Sequence, residues 1–399
     1  MRVAHYAPDL WSNGGVATYV RHLATEQVDR GHTVLLLSQT PPPADKTSEA
    51  LYACHVDVTG DEHAYDKATT NGCDLLHLHK PVQTLPPSRL PTLRTMHDNT
   101  AACPSGTRYL ARTGTPCTRV ASLPVCLWGR AIDGCGSRRP TRFVEDAKRL
   151  AAEQHVLSDI PVVAVSNYVK EEMVRAGYAD DAITVIPSPA PTRSRLLPIL
   201  PTAIPRFLFM GRIVPEKGLS WLLHAVAETV SPLHLDVAGD GYALEDARTL
   251  CETLHLNDRV TFHGWVPPAG LNTLLTQARA VVVPSVWQEP AGLVTLEAAA
   301  AGRAVIASRV GGIPEYALPD FSLLAAPNDV SALAAHLDRL ARDPSLAAQM
   351  GRAGFACAQD RFGVDRFVDA IDAEYERVIS TVASQSAPQR PSSTPFPSL

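Results

Sequence analysis

Residues 207–230 read FLFMGRIVPEKGLSWLLHAVAETV. Residues 207–210 are a short unbroken apolar run, the pattern of a strand buried on both faces. Residues 211–218 contain Gly211, Pro215 and Gly218 and form a loop. Leu219, Leu222, Leu223, Val226, Ala227 and Val230 then recur at helical spacing, so one face of a helix is apolar. A buried strand, a polar loop and an amphipathic helix make one unit of a parallel α/β sheet.

The same unit recurs in both directions. Downstream, LHLDVAG, RVTFHG, AVVVPS and RAVIASR read as strands alternating with helices to about residue 310. Upstream, residues 3–7 form a strand, Gly14 and Gly15 a loop, residues 16–30 a helix stopped by Gly31, and residues 33–38 a second strand. Further buried strands are expected within 74–80, 91–98, 161–167 and 183–189. Residues 191–205 are proline-rich without helical period, a linker by composition. The expectation is therefore two Rossmann-like, doubly wound α/β domains facing a central cleft, with ligands at the carboxyl ends of the strands. The expected boundaries are 1–190, 191–205 and 206–360, followed by a helix at 361–383 that packs back on the first domain. The Ser/Pro-rich residues 384–399 are read as a disordered tail.

Composition narrows the class. Apolar residues are 45% and charged ones 19%, the net charge is −5, and nothing points to nucleic acid. No apolar run reaches the roughly 18 residues that span a bilayer, and the start reads as a strand with no secretory leader, so a cytoplasmic protein is expected. The eight cysteines are then thiols or metal ligands.

Three places carry chemistry. Arg212 and Lys217 lie on the loop between strand and helix, where two cations beside helix N–H groups suit a diphosphate. Glu289 follows the strand AVVVPS, and Glu297 comes after seven intervening residues, inside a helix opened by Gly292. Carboxylates there accept hydrogen bonds from vicinal hydroxyls of a sugar or ribose. Each glutamate alone is most often an exposed charge; the combination with Arg212 and Lys217 is what singles them out. Third, residues 103–149 form an insert with Cys103, Cys117, Cys126 and Cys135. It carries nine cations, Arg138 among them, against three anions. The thiols are either a zinc or iron–sulfur site or simply buried, and no C-x-x-C pair favours metal. The positive charge suits an anionic acceptor, a membrane surface or solvent.

The G-R…K-G loop, V-x-G-x-G, E-x7-E and G-G-x-P-E of residues 207–315 resemble the donor-binding half of GT-B glycosyltransferases, specifically retaining family 4 (glycosyltransferase group 1). GGVATYVRHLATEQVDRGHTV and TMHD resemble its front half. The resemblance extends from Met1 to about Ser380 and implies transfer of a sugar from a UDP- or GDP-linked donor to a glycan, lipid-linked or small-molecule acceptor. It implies a front-face mechanism with no cofactor or metal; no Asp-x-Asp occurs. By the same resemblance the Gly15 backbone faces the diphosphate, and Arg212 and Lys217 neutralise it. Glu289 and the backbone at Ala291, Gly292 and Leu293 hold the sugar, Glu297 holds the ribose, and His97 approaches the reacting carbon. Ala291 replaces a larger residue, implying a roomier sugar pocket, and SPA at 188–190 departs from the family's usual turn. A non-hydrolysing sugar-nucleotide epimerase and an inactive sugar-nucleotide-binding protein are the alternatives. Cytoplasmic location with peripheral association at the inner membrane face is expected.

Overall fold

Phe207 and Phe209 turn to one face of their strand and Leu208 and Met210 to the other, and all four are buried. That two-residue alternation with both faces covered explains the unbroken apolar run. In the computed structural model, which describes residues 1–12, 14–43, 54–137 and 139–386, the chain forms two compact units. One comprises Met1–Arg94 with Ala370–Leu399, the other Thr95–Asp369.

In the first unit, β1 (Arg2–Tyr6) is flanked by β2 (Thr33–Ser38) and β4 (Leu75–Leu78). β3 (His55–Asp57) extends the sheet beyond β2, and β5 (Thr92–Met96) pairs with β4; these pairings are all parallel. Helix α1 (Gly15–Asp29) follows the glycine loop, and Gly31 has a φ of 83° where the chain turns back. Helix α13 (Val364–Ser386) runs past the expected end at residue 383, and the rest of the expected tail lies outside the described residues. Its Tyr375 hydroxyl meets Nδ1 of His77 at 2.6 Å, both fully buried.

His77 stands beside His5 and His79, and ligand nitrogens of the three lie within 4.8 Å of one another. Gln27 Oε1 can only accept, so Nε2 of His5 donates to it (2.7 Å) and Nδ1 of His5 accepts from Nε2 of His79 (3.0 Å). Both His5 nitrogens are thereby used in a buried polar relay. Burial pushes the His5 pKa down to about 4, partly offset by Gln27. In the unfolded chain His5 protonates near pH 6.5, while the native ring stays neutral, so acid favours unfolding. Stability is expected to fall by about 3 kcal/mol between pH 6.5 and pH 4 from this residue. The slope of melting temperature against pH should flatten in His5→Gln; an unchanged slope refutes the assignment.

In the second unit, six parallel strands lie in the order β12-β11-β10-β13-β14-β15. They are β10 (Arg206–Met210), β11 (His234–Ala238), β12 (Val260–Gly264), β13 (Ala278–Val283), β14 (Ala304–Ser308) and β15 (Ser322–Ala325). Helices α6 (Leu219–Glu228) and α11 (Val330–Arg342) cover the face carrying Phe207, Val282 and Ile306. Helix α9 (Leu293–Ala300) covers the face carrying Leu208, Val281 and Val305. Strands β8 (Val162–Ala164) and β9 (Ile183–Val185) pair in parallel, with α5 (Asn167–Arg175) between them.

Residues 191–205 contain no helix or strand and are tied down by hydrogen bonds. Leu200 N donates to Thr276 O at 2.8 Å. Fully buried Arg303 donates to the carbonyls of Leu197 (3.0 Å), Pro198 (2.7 Å) and Leu275 (2.6 Å). The insert contains a two-residue ladder, β6 (Tyr109–Leu110) with β7 (Thr115–Pro116), helix α3 (Leu123–Trp128), a π turn at Gly129–Asp133 and helix α4 (Pro140–Leu157).

Candidate active site

The loops at the carboxyl ends of β10, β13 and β14 meet around Glu289. Lys217 closes a single 3-10 turn, Pro215–Lys217, and its Nζ lies 2.5 Å from Glu289 Oε1. Ser285 Oγ donates to the same oxygen at 2.6 Å, and the Lys217 ammonium sits 5.4 Å from the Trp287 ring centroid. Glu289 is only 9% exposed, so its carboxylate is held by a cation, a hydroxyl and little water.

Close backbone approach builds this cluster. Gly218 has a φ of 71°, and a Cβ there would sit 1.8 Å from Pro284 O. Only glycine lets the Lys217 loop lie against the end of β13. A Cβ on Gly311 would sit 2.2 Å from Glu289 O, and Gly312 N donates to that oxygen at 2.7 Å. The two glycines of G-G-x-P-E thus brace the Glu289 loop from behind.

The remaining residues of that motif reach further. The Glu315 carboxylate accepts from Asn167 N (2.7 Å) and Tyr168 N (2.8 Å), capping the start of α5. The buried Tyr316 hydroxyl accepts from Ser188 N (2.9 Å) and donates to Val165 O (2.5 Å). Ser166 Oγ donates to Pro290 O at 2.6 Å, and Asn99 Nδ2 to Gln288 O at 2.8 Å. These last two fasten the carbonyls on either side of Glu289.

Gly292 is the N-cap of α9, and no side chain caps that helix start. Ala291 and Leu293 flank it, half-buried. Glu297 lies in the second turn; burial raises its pKa, opposed by the charge of Arg193. Arg212 is exposed on the Lys217 loop, within charge range of Tyr242 and near Glu216. His97 directly follows β5, half-buried, two residues before Asn99. Gly15 opens α1 in the other unit.

The structure therefore joins Lys217 and Glu289 directly and sets Ala291, Gly292, Leu293 and Glu297 on the same loop and helix. Sequence reasoning missed Ser285, Trp287, Asn99, Ser166 and Arg193. None belongs to a spacing pattern: Ser285 and Trp287 stand on the Glu289 loop itself, Asn99 and Ser166 come from the ends of β5 and β8, and Arg193 comes from the linker.

The arrangement brings a cation, a carboxylate acceptor and helix-start N–H groups to the same strand ends. Comparison with known proteins gives the family. Residues 200–356 match the family description of glycosyl transferases group 1, and residues 13–193 match Glycosyltransferase Family 4. The uncharacterized glycosyltransferase YqgM of Bacillus subtilis is 32% identical over 266 residues, 65% of this chain and 70% of its own length. A sucrose-phosphate synthase from Thermosynechococcus elongatus superposes with a TM-score of 0.73 at 22% identity, covering 95% of this chain and 99% of that one. Anabaena HepE in complex with UDP-glucose gives 0.67 at 18% identity, covering 96% of this chain and all of that one. The fold is thus that of a GT-B glycosyltransferase. Within that class, the chain belongs to the glycosyl transferases group 1.

Among the described residues, no helix is long and apolar enough to cross a membrane.

Proposed function

We propose that this glycosyltransferase takes a sugar from a nucleotide-diphosphate donor, UDP- or GDP-linked, and transfers it with retention to an acceptor hydroxyl without a catalytic metal ion. The observation that carries the reading is the Lys217–Glu289 pair beside the α9 N-terminus at the ends of the parallel strands. The UDP-glucose complex of Anabaena HepE, of like fold, supports a sugar nucleotide as donor.

In this reading residues 206–360 hold the donor, and 1–190 with the helix at 361–383 serve the acceptor side. Heterolysis of the anomeric bond places negative charge on the leaving diphosphate and positive charge on the sugar. Lys217 and Arg212, with the α9 amides, stabilise the first; the buried Glu289 carboxylate orients sugar hydroxyls and favours the second. Glu297 holds ribose hydroxyls, the Gly15 amide contributes on the diphosphate side, and His97 stands near the reacting carbon. The departing phosphate oxygen takes the acceptor's proton, so the new bond forms on the face that the old one leaves.

The test is acceptor-dependent release of nucleoside diphosphate over a panel of UDP- and GDP-linked sugars, with the product's anomeric configuration read by NMR. Turnover should survive brief EDTA treatment, because lysine and arginine supply the charge. Loss restored by manganese contradicts the metal-free mechanism, and inversion contradicts the front-face one.

The insert extends the reading to the acceptor. Leu123, Leu127 and Trp128 are exposed, and so are Arg139 and Arg142 of the same insert, a composition that suits an anionic lipid surface or lipid-linked acceptor. The protein is expected to sediment with anionic vesicles at low salt; failure there leaves the basic face merely solvated.

A further inference from the structure

The four insert cysteines are far apart in sequence, yet all of them line one cavity of about 30 Å³. Cys135 lies within electrostatic range of the other three thiols. Turn hydrogen bonds present them: Gly106 N to Cys103 O, Cys117 N to Arg108 O, Cys126 N to Ser122 O and Cys135 N to Gly129 O, at 2.8–3.0 Å. A Cβ on Gly129 would come 2.9 Å from Cys135 Sγ, so that position leaves room for the sulfur.

Apolar packing accounts for only part of this arrangement: Leu110, Val120 and Val125 also line the cavity. Helix α3 buries none of its residues: Leu123 is 62% exposed and Trp128 59%, while Cys126 faces the cavity. A helix folded by apolar packing would turn leucine and tryptophan inward before cysteine. Besides α3, residues 103–136 contain only a two-residue ladder and a π turn, a geometry frequent at functional sites. A segment so poor in core normally depends on a covalent or metal staple. All eight cysteines are free thiols in this structure.

We propose that Cys103, Cys117, Cys126 and Cys135 hold a thiolate-ligated metal centre, a zinc ion or an iron–sulfur cluster, that staples the insert. Binding replaces four S–H protons by four metal–sulfur bonds, the protons passing to solvent, with no change of oxidation state for zinc. A divalent ion with four thiolates is left with excess negative charge; Arg108, Arg119 and Arg130 line the same cavity, each also paired to a carboxylate, Glu172, Asp133 and Asp146 respectively. Among the described residues only the histidine trio brings three ligand atoms within 4.8 Å of one another, so the thiols surround a wider space. One zinc, with bonds of about 2.3 Å, would draw them inward, whereas a cluster would fill the gap. The centre's consequence is local: it anchors the β6–β7 hairpin. From there Tyr109 packs against the core of the six-stranded sheet within charge range of Glu216 on the Lys217 loop, and Gly114 O accepts from Asn328 (2.8 Å).

The experiment uses the full chain purified without oxygen or chelator, with elemental analysis, sulfide assay and a visible spectrum. About one zinc per chain with a colourless solution identifies the ion; iron with matching sulfide and absorption near 400 nm identifies the cluster. The double variant Cys117→Ser/Cys126→Ser should lose the metal, and proteolysis within residues 103–136 should accelerate at least tenfold. In the wild-type protein, the four thiols should resist alkylation until the metal is stripped, a readout independent of the variant's folding. The proposal is overturned if metal stays below a tenth of an equivalent after reconstitution with zinc or with iron and sulfide. Metal retained by the double variant, or two disulfides found by mass in the native protein, overturns it equally.

Discussion

Lys217→Ala is expected to slow sugar transfer by about a hundred- to a thousandfold, the usual loss when one preorganised donor to a developing charge is removed. The lysine ammonium is already positioned, 2.5 Å from Glu289 and 5.4 Å from the Trp287 ring centroid. Its loop is pinned where Gly218 meets Pro284 O, so reaching the transition state requires little reorganisation. Turnover should fall more than donor affinity, since the charge on the diphosphate grows as the anomeric bond breaks. Single-turnover rates at saturating donor check this. A rate within threefold of wild type would remove Lys217 from the chemistry and, with it, the diphosphate assignment.

Glu297→Gln should weaken nucleotide binding by about ten- to a hundredfold, since hydrogen bonds to a charged acceptor are worth about 1.5–3 kcal/mol. The same change should leave the melting temperature unchanged or raise it at pH 7–8. Burial raises the native pKa of this carboxyl, with only Arg193 opposing. Above the ordinary carboxyl range the native state therefore holds more proton than the unfolded one, so ionised Glu297 subtracts from stability as pH rises. Glutamine carries no charge to bury and escapes that cost. Acidifying the wild-type protein should weaken nucleotide binding sooner than an ordinary carboxylate would allow. Calorimetric titration with nucleoside diphosphate and thermal melts at several pH values measure both effects. A less stable variant that binds normally would show that Glu297 is a packing residue.

Much of this was legible from local pattern. The strands β1, β2, β10, β11, β13 and β14 are short apolar runs with both faces covered, and helix α6 shows its stripe at 3.6-residue spacing. β3 and β15 are three and four residues long at the edges of their sheets, too short for a pattern to mark them as strands. Helix α4 buries only Glu153, Val156 and Leu157, all near its C-terminal end, so no long apolar face marks it. In the site, the residues at the loop-and-helix starts could be named because glycine and charge mark them. The second set could not. Asn99 and Ser166 reach the carbonyls beside Glu289 from the ends of β5 and β8, contacts that depend on which strand ends lie together and that a linear spacing does not record. Ser285 is only four residues from Glu289, but a lone serine in a loop carries no pattern that marks it.

The Glu315 carboxylate that seats on the first amides of α5 bears on how readily this enzyme can be recombined. Replacing residues 206–360 by the equivalent stretch of a relative, to import another donor preference, would carry the acid on one parent and the amides it satisfies on the other. A graft that keeps an acid at that point inherits a ready-made seam. One that brings an apolar residue leaves two helix-end N–H groups unmet, a mismatch that breeders of hybrid transferases would meet as poor expression before any change in specificity was seen.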